Sequence, residues 1–452
     1  MADGIIFERL GIPAVSIVTN AFTQSSNAMA TIQGAPGYRY AMVPHPLSSL
    51  TPDECHERAG EVLPQVLSIL GLDDAGAPGA PSDRGAADPV GAASRPQPAA
   101  ASEPGEPAAL TASEAAAARA AIEYYYDAGW SDGLPVAPAT PEVVKELCHY
   151  VGRDPAEVVV KTTHLDRTCT VGLAAVAAAM AGCRKEHFPV VLAAAHAMQP
   201  SVDTALLQST TGQCQLIIVN GPIRNRAGFN GAGNVFGPGF RANATVGRAI
   251  RLIVMNALGI RPRGFDQATQ GTPAKYSFCI AENEEESPFE PLHVERGFRD
   301  DASVATIHFA RSSLHVENRS SNRPEEVLLT IADSMSYAGS WAAGRGYTVV
   351  MGPEHAHLLA RHGWTKAAAK EFLWEHWGRR RSDLERLGLL RPDGAPRSSG
   401  EGSGGEEFVR FGASPESMLL VVAGARSAGV STVVPTIAPM FHSEEIRAPS
   451  EG

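Results

Sequence analysis

The sequence lacks any long apolar segment. No apolar run approaches the roughly 20 residues of a membrane span, and no basic stretch followed by an apolar one stands at the N-terminus. An excess of basic charge is also absent, since the net charge is −11 and the isoelectric point is near 5.7. A chain of this charge disfavours nucleic acid as the main partner. These absences predict a cytoplasmic protein that binds neither a membrane nor a nucleic acid.

Cysteine is scarce, with six residues among 452. None of them forms a C-x-x-C pair or a zinc-finger spacing, so the sequence indicates neither a disulfide framework nor a metal site. Catalytic signatures such as G-x-S-x-G and the P-loop are missing as well. The sequence therefore predicts no metal and identifies no cofactor. The abundance of alanine, glycine, proline and arginine is typical of a bacterial protein from a GC-rich genome.

The most informative segment is the glycine-rich stretch Leu216–Leu258. It begins with an apolar, β-branched run that predicts a strand, and a helical period starts at about Ala244. Between them, glycines allow backbone N–H groups to approach a ligand, and the loop ends at a helix N-terminus, which attracts anions. The pattern predicts a loop that binds a small anionic substrate, either a carboxylate or a phosphate. An ordered surface loop without a ligand is the alternative.

Polar side chains in and near this stretch are the predicted substrate ligands. Arginine holds a carboxylate or phosphate through two parallel hydrogen bonds, and asparagine and lysine supply further donors. The predicted substrate-binding residues are Asn220, Asn230, Arg241, Asn243, Lys275 and Asn283.

Cys169 is the predicted nucleophile or redox residue. It precedes an alanine-rich helix predicted over Val171–Gly182 and lies close to Arg167 in the sequence. A helix N-terminus and a neighbouring cation both lower a thiol pKa and raise the thiolate fraction. The alternative is that Cys169 is a small core residue.

Further candidate catalytic residues follow predicted strands. Glu282 and Glu284 come after one strand, and Glu354 and His355 come after another. Open α/β sheets place ligand and catalytic groups just beyond the carboxyl ends of their strands. These side chains could therefore act as general acid or base. The spacing of His355 and His357 disfavours a metal, because residues two apart point to different faces of a helix.

Composition divides the chain into two folded parts. Residues 1–72 alternate between helical and strand patterns and predict a small, doubly wound αβαβα fragment, with its first strand over Ile12–Thr19. Residues 73–108 are rich in alanine, proline, glycine and serine and predict a disordered linker. Residues 109–452 predict a larger α/β domain with glycine-rich loops at its strand ends and a flexible Gly/Ser loop at 391–407.

The N-terminal part resembles a known family. The run ADGIIFERLGIPAVSIVTNAF, with Gly11-Ile12-Pro13 and Thr19, is similar to the segment that follows the redox motif in the UGSC family of selenoproteins and their cysteine homologues. In that family, a selenocysteine or cysteine followed by Gly-Ser-Cys lies just upstream of this segment. No Cys-Gly-Ser-Cys occurs in this chain. The module is therefore expected to be incomplete, or to have lost its redox centre.

The larger part resembles the domain commonly associated with UGSC modules. The blocks GPGFRANATVGRA and AENEEESPFEPLHVERGF carry this resemblance most specifically, together with IVNGPI and VVMGPEHA. The resemblance implies thiol- or selenol-linked chemistry, with a partner chain supplying the redox motif. A two-stranded fragment is too small to close its own core. This favours its association with the larger domain or with another chain, including a second copy in a homo-oligomer.

Three functions stay open at this point. The first is an enzyme of the oxidoreductase or lyase type that transforms a small anionic substrate by thiol- or selenol-linked redox or carbon–heteroatom lyase chemistry. The second is a non-catalytic binding or assembly subunit that partners a separate redox protein. The third is a hydrolase without a metal, which would use Glu282 or Glu284 with His293 or His355.

Overall fold

The computed structural model describes residues 1–47, 50–72, 111–204, 207–208, 210–336, 345–390 and 407–447. The linker predicted at 73–108 lies outside these residues, as does the loop predicted at 391–407 apart from residue 407. The chain divides into two compact units, which are Met1–Pro44 with His56–Tyr124, and His45–Cys55 with Tyr125–Gly452. Within the described ranges, no helix is both long and apolar enough to cross a membrane.

The N-terminal elements follow the αβαβα order that the sequence predicts. They are α1 (Ala2–Arg9), β1 (Ile17–Thr19), α2 (Thr23–Ile32), β2 (Ala41–Val43) and α3 (Pro52–Leu70). Strands β1 and β2 are parallel, with Ile17 opposite Ala41 and Thr19 opposite Val43. The first strand is shorter than the predicted Ile12–Thr19, because β2 offers only three residues for it to pair with.

The remaining elements are helices and strands that form mixed sheets, consistent with an α/β fold. The helices are α4 (Ala112–Asp127), α5 (Pro141–Val151), α6 (Val171–Ala181), α7 (Phe188–Ala197), α8 (Gln199–Val202), α9 (Ile223–Arg226), α10 (Arg241–Leu252), α11 (Leu292–Glu295), α12 (Pro324–Met335), α13 (Pro353–Arg361), α14 (Lys366–His376) and α15 (Arg381–Arg386). The strands are β3 (Val158–Thr162), β4 (Arg167–Thr170), β5 (Cys214–Asn220), β6 (Cys279–Ala281), β7 (Val304–Ala310), β8 (Leu314–Glu317), β9 (Tyr347–Met351), β10 (Gly378–Arg380), β11 (Phe408–Arg410), β12 (Met418–Val422) and β13 (Val430–Glu445).

The main sheet of the second unit consists of two similar halves. Its strand order is β12-β9-β13-β7-β5-β6. In one half β5 is parallel to β6 and antiparallel to β7, and in the other β9 is parallel to β12 and antiparallel to β13. The long strand β13 joins them, since its first residues pair with β9 and its last with β7, with an irregularity between Thr436 and Phe441. Gly221-Pro222 follows β5, and Gly352-Pro353 follows β9.

Alternate residues of these strands enter different cores. Ile217 and Val219 pack with apolar residues of α6, α7 and α10, whereas Ile218 packs with Val350 and Val421 of the other half. The alternate residues of β9 and β12 pack with α12, α13 and α14. Successive strand side chains point to opposite faces, so each half is covered by helices on one face and by the other half on its second face. Full burial of each such side chain stabilises the fold by about 1.5–3 kcal/mol.

This packing brings the carboxyl ends of β6 and β12 together. The backbone N–H of Asn283 donates to the carbonyl oxygen of Val422 at 2.7 Å, and the N–H of Gly424 donates to the carbonyl oxygen of Gly231 at 2.8 Å. The glycine-rich loop after β5 is thereby attached to the end of β12. The polar residues that follow these strands are consequently collected in one region of the second unit.

Candidate functional site

A cleft of about 430 Å³ lies at the carboxyl ends of β9 and β12. Its lining includes the segment 234–237 of the glycine-rich loop and several residues between Ala423 and Thr432. We call it the serine cleft. The residues that line it are Asn234, Val235, Phe236, Gly237, His315, Val350, Gly352, Ala423, Gly424, Ala425, Ser427, Ala428, Val430, Ser431 and Thr432. None of these described lining residues is an aspartate or a glutamate.

Ser431 and His355 form a hydrogen-bonded pair at this cleft. Helix α13 begins at Pro353, with Gly352 as its N-cap, which places His355 in the first helical turn. The Ser431 Oγ lies 2.8 Å from His355 Nδ1, and His355 Nε2 lies 3.0 Å from the carbonyl oxygen of Asn318. A carbonyl only accepts, so Nε2 carries the proton and Nδ1 accepts the hydrogen bond from the serine hydroxyl. The tautomer that could deprotonate Ser431 is therefore the one fixed by the fold.

Burial keeps His355 neutral. The side chain is only 2% exposed, and burial lowers its pKa below the ordinary value, although the Asn318 carbonyl and the charge of Glu354 oppose this shift. A neutral imidazole is the form that accepts a proton. A hydroxyl held against an oriented imidazole is the arrangement of an activated serine nucleophile and its base. The backbone N–H of Gly352 also donates to Ser431 Oγ, at 3.2 Å.

A second polar group lies where β5 and β6 end, and we call it the carboxylate cluster (Asn220, Arg224, Glu282, Glu284, Glu285 and His293). Asn220 Nδ2 donates to Glu282 at 2.6 Å and to Glu284 at 3.0 Å. Glu282 also accepts from the backbone N–H of Leu292 at 2.8 Å. Glu282 is fully buried, and burial raises its pKa, although Lys366 and its hydrogen-bond donors oppose the shift.

Arg224 holds the charged part of the carboxylate cluster. Its guanidinium lies 2.6 Å from Glu284 and 3.0 Å from Glu285. His293 donates through Nε2 to the carbonyl oxygen of Asp300, at 3.1 Å, and its Nδ1 lies 4.0 Å from Glu284 Oε1. Three buried atoms in the cluster, Asn220 Oδ1, Arg224 Nε and His293 Nδ1, make no hydrogen bond within the described protein. Buried polar atoms without a protein partner are rare in native structures, and a water, an ion or a ligand can satisfy them.

Two predicted substrate ligands instead fix the glycine-rich loop. The buried Asn243 accepts from the backbone N–H of Asn230 at 2.8 Å and donates to the carbonyl oxygens of Asn230 and Cys279. The side chain of Asn230 bonds to Gly233 and Ala232 within the loop. The side-chain amide of Asn243 is thus bound to backbone groups of the loop and of β6. The substrate-binding roles predicted for these two residues have no support in this geometry.

Arg241 is also engaged elsewhere. Its Nε and Nη2 donate to the carbonyl oxygen of Gly182, at 3.0 and 2.8 Å, at the C-terminal end of α6. A helix C-terminus leaves carbonyl oxygens unpaired, and an arginine satisfies them. Arg241 therefore caps the C-terminal end of α6, and the substrate-binding role predicted for it has no support in this geometry.

The low thiol pKa predicted for Cys169 is wrong. Cys169 is the third residue of β4, has no exposed surface, and burial raises its pKa to about 12. The helix N-terminus nearby does not compensate for the loss of hydration around a thiolate. Burial also raises the pKa values of Cys183 and Cys214 to about 12. These thiols are protonated at neutral pH and lack the nucleophilic form.

The other predicted residues fall into separate surroundings. Asn283 ties two strand ends together, since its side chain donates to the carbonyl oxygen of Gly424 at 3.2 Å. Glu354 is buried in the first turn of α13, beside His355. Lys275 lies in a different cleft, against Asp266. The structure thus groups Asn220 with Glu282, and Glu354 with His355, but leaves Cys169, Arg241 and Lys275 apart.

Sequence reasoning missed Ser431 and the role of Arg224. Ser431 stands in a run that reads only as a strand, and its partner His355 lies 76 residues earlier. No local sequence motif predicts a contact between two residues so far apart in the chain. Arg224 stands in the stretch IVNGPIRN, whose glycine-proline turn marks the end of a strand. Position just after a strand end was the signal available for Arg224.

In the described part of the chain, no group of three or more histidine, cysteine, aspartate or glutamate side chains could hold a metal ion.

Comparison with known proteins identifies the N-terminal part alone. Residues 1–72 match the model of the UGSC family, so the resemblance expected for this segment is confirmed. No curated protein and no solved structure matches the chain. The family match covers α1 to α3 and includes no residue of the serine cleft or the carboxylate cluster.

Proposed function

We propose that the second unit is an enzyme domain that hydrolyses an ester or thioester of a small anionic acid in the serine cleft, with Ser431 as nucleophile and His355 as base. The single observation that carries this proposal is the 2.8 Å contact between Ser431 Oγ and His355 Nδ1, in the tautomer fixed by Asn318. The pair lies at a cleft large enough for a small molecule.

The chemistry follows from the proton positions. His355 Nδ1 takes the hydroxyl proton while Ser431 Oγ attacks the acyl carbonyl, forming an ester with the serine. The imidazolium then gives this proton to the departing alcohol or thiol. Water, deprotonated by the same imidazole, cleaves the acyl-serine and restores both side chains.

An anionic substrate is favoured by charge. The described lining of the serine cleft carries no carboxylate, and it includes Gly352, the N-cap of α13. The first turn of a helix offers unpaired N–H groups and partial positive charge. A carboxylate or phosphate on the substrate would therefore meet no carboxylate among these lining residues.

The UGSC module favours a thiol or selenol as the departing group. The family resemblance implies such a group on a partner chain, and the raised pKa values of Cys169, Cys183 and Cys214 leave these thiols protonated. A thioester substrate would connect hydrolysis by Ser431 with the thiol chemistry implied for the partner chain, because thioester hydrolysis releases a thiol and a carboxylate. We therefore expect the enzyme to prefer thioesters over the corresponding oxygen esters.

A carbon–heteroatom lyase is the second candidate, favoured by the carboxylate cluster. Burial raises the pKa of Glu282 and so favours its protonated form, which can donate a proton, and His293 Nδ1 makes no hydrogen bond within the described protein, so it can accept one. In this reaction His293 would remove a proton from carbon while Glu282 protonates the departing heteroatom. Glu282→Gln would abolish such an elimination, while Ser431→Ala would not.

The first test replaces Ser431 by alanine in the full chain. We expect turnover of short thioesters and p-nitrophenyl esters that carry a free carboxylate to fall by about 100-fold or more, and His355→Gln to give a similar loss. A fluorophosphonate probe, with the modified residue located by mass spectrometry, reports on the nucleophile without knowledge of the substrate.

A matched control is provided by Ser201, a buried serine whose Oγ lies 3.0 Å from His442 Nε2 outside the serine cleft. Ser201→Ala should keep both turnover and labelling. If the wild-type protein is not labelled at Ser431, or if Ser431→Ala retains full turnover, the hydrolase proposal is wrong.

A further inference from the structure

A second cleft, of about 600 Å³, lies on the second unit and contains a buried ion cluster. We call it the cationic cleft. Its charged lining residues are Asp132, Arg251, Arg263, Asp266 and Lys275, and the chain from Ala268 to Pro273 forms one wall. It shares no lining residue with the serine cleft. We propose that the cationic cleft is a separate binding site for a small oxyanion, a phosphate or carboxylate group.

The floor of this cleft carries two cations on one carboxylate. Lys275 Nζ lies 2.8 and 2.6 Å from the two oxygens of Asp266, and Arg251 Nη2 lies 2.8 Å from Asp266 Oδ2. Burial disfavours the charge of Asp266, but Lys275 and Arg251 outweigh it and lower the carboxyl pKa. Asp266 carries one negative charge against the two positive charges of Lys275 and Arg251, so it compensates only one of them.

The remaining charges increase the imbalance. Arg248 binds Asp132 through two hydrogen bonds of 2.9 and 2.8 Å, which neutralises that carboxylate. Arg263 adds a further positive charge to the lining. An excess of buried positive charge is unfavourable unless an anion compensates it. Burial accordingly lowers the pKa of Lys275, and a bound anion would reverse that effect.

The wall of the cleft is suited to a small polar group. Arg263, which is not a glycine, has a φ of 64°, and its backbone N–H donates to the carbonyl oxygen of Asp266 at 3.1 Å. Left-handed backbone at a residue with a side chain costs free energy and occurs preferentially at binding sites. Thr269, Gln270 and Thr272 provide hydroxyl and amide groups along the wall. The ligand class is therefore a compact oxyanion with hydrogen-bonding oxygens.

The test is calorimetric titration of the full chain with inorganic phosphate and, separately, with succinate. We expect saturable binding of at least one of them, and Lys275→Gln should weaken it by at least about tenfold, the effect of losing one charged hydrogen bond. Phosphate binding alone identifies a phosphoryl ligand, and succinate binding alone identifies a carboxylate; both results support the site.

Controls separate this site from general charge effects and from the serine cleft. Lys185→Gln removes an exposed lysine outside the cleft and should leave binding unchanged, as should Ser431→Ala. Arg263→Gln changes an exposed side chain at the rim of the cleft and should also weaken anion binding. This second variant keeps the proposal testable if Lys275→Gln does not fold. Absence of saturable binding of both anions to the wild-type protein, or unchanged affinity in Lys275→Gln and Arg263→Gln, would overturn the proposal.

Discussion

Replacement of Arg224 by methionine is expected to lower the free energy of unfolding by about 3–5 kcal/mol. Arg224 is buried and holds Glu284 at 2.6 Å and Glu285 at 3.0 Å, and it also donates to the carbonyl oxygen of Glu282 at 2.9 Å. Burial disfavours the charge of Glu285, but hydrogen bonds from Arg224 and Asn225 outweigh it and lower the pKa to about 2. Without the guanidinium, adjacent carboxylates would repel each other with no compensating cation.

Chemical denaturation of the wild-type and variant proteins measures this loss. Arg153→Met is the matched control, because Arg153 makes an equally close pair with Glu157, at 2.7 Å, while the two side chains are 24% and 42% exposed. An exposed pair contributes about 0–1 kcal/mol. An equal loss of unfolding free energy in the two variants would contradict the prediction, since burial would then have no influence on how much an ion pair contributes to stability.

Acidification is expected to destabilise the second unit through His308. This side chain is fully buried between Thr348 and Phe441, and burial lowers its pKa to about 3. In the unfolded chain, a histidine takes up a proton below about pH 6.5. The unfolded state therefore binds the proton first as the pH falls, and stability that is fully present above pH 6.5 is lost between 6.5 and about 3.

The expected loss from this one residue is roughly 3 kcal/mol between pH 6.5 and 4, at about 1.4 kcal/mol per pH unit. The unfolding free energy of the wild-type protein and of His308→Gln should be measured across this range, and the difference between the two should narrow as the pH falls. His376→Gln, which changes an exposed histidine on α14, should run parallel to the wild type. If the unfolding free energies of His308→Gln and the wild type change equally with pH, the prediction is wrong.

The sequence was a good guide to elements whose signals are local. The αβαβα order of the first 72 residues and the apolar strands β5 and β9 are readable from hydrophobic period and turns. Residues just beyond strand ends remain predicted site residues, and two of them, Glu282 and His355, are buried polar side chains. These inferences need only neighbours within a few residues along the chain.

The sequence failed where an environment is built from distant segments. Cys169 has a helix N-terminus next to it, but its pKa is decided by burial among residues of other elements. Arg241 and Asn243 have the right chemistry for an anion, but backbone carbonyl oxygens elsewhere in the chain already occupy them. A side chain with several donors binds whatever acceptor the fold brings nearest, and this cannot be read from its own sequence position.

The glycine-rich stretch Leu216–Leu258 shows which features the sequence determines and which depend on the tertiary structure. Sequence alone determined that it is a strand, a loop and a helix, because β-branched residues, glycines and a 3.6-residue period each impose a local backbone geometry. Only the tertiary structure decided that segment 234–237 of this loop lines the same cleft as Ser431. The physical reason is that side-chain alternation buries both faces of each sheet half, which forces the carboxyl ends of β6 and β12 together.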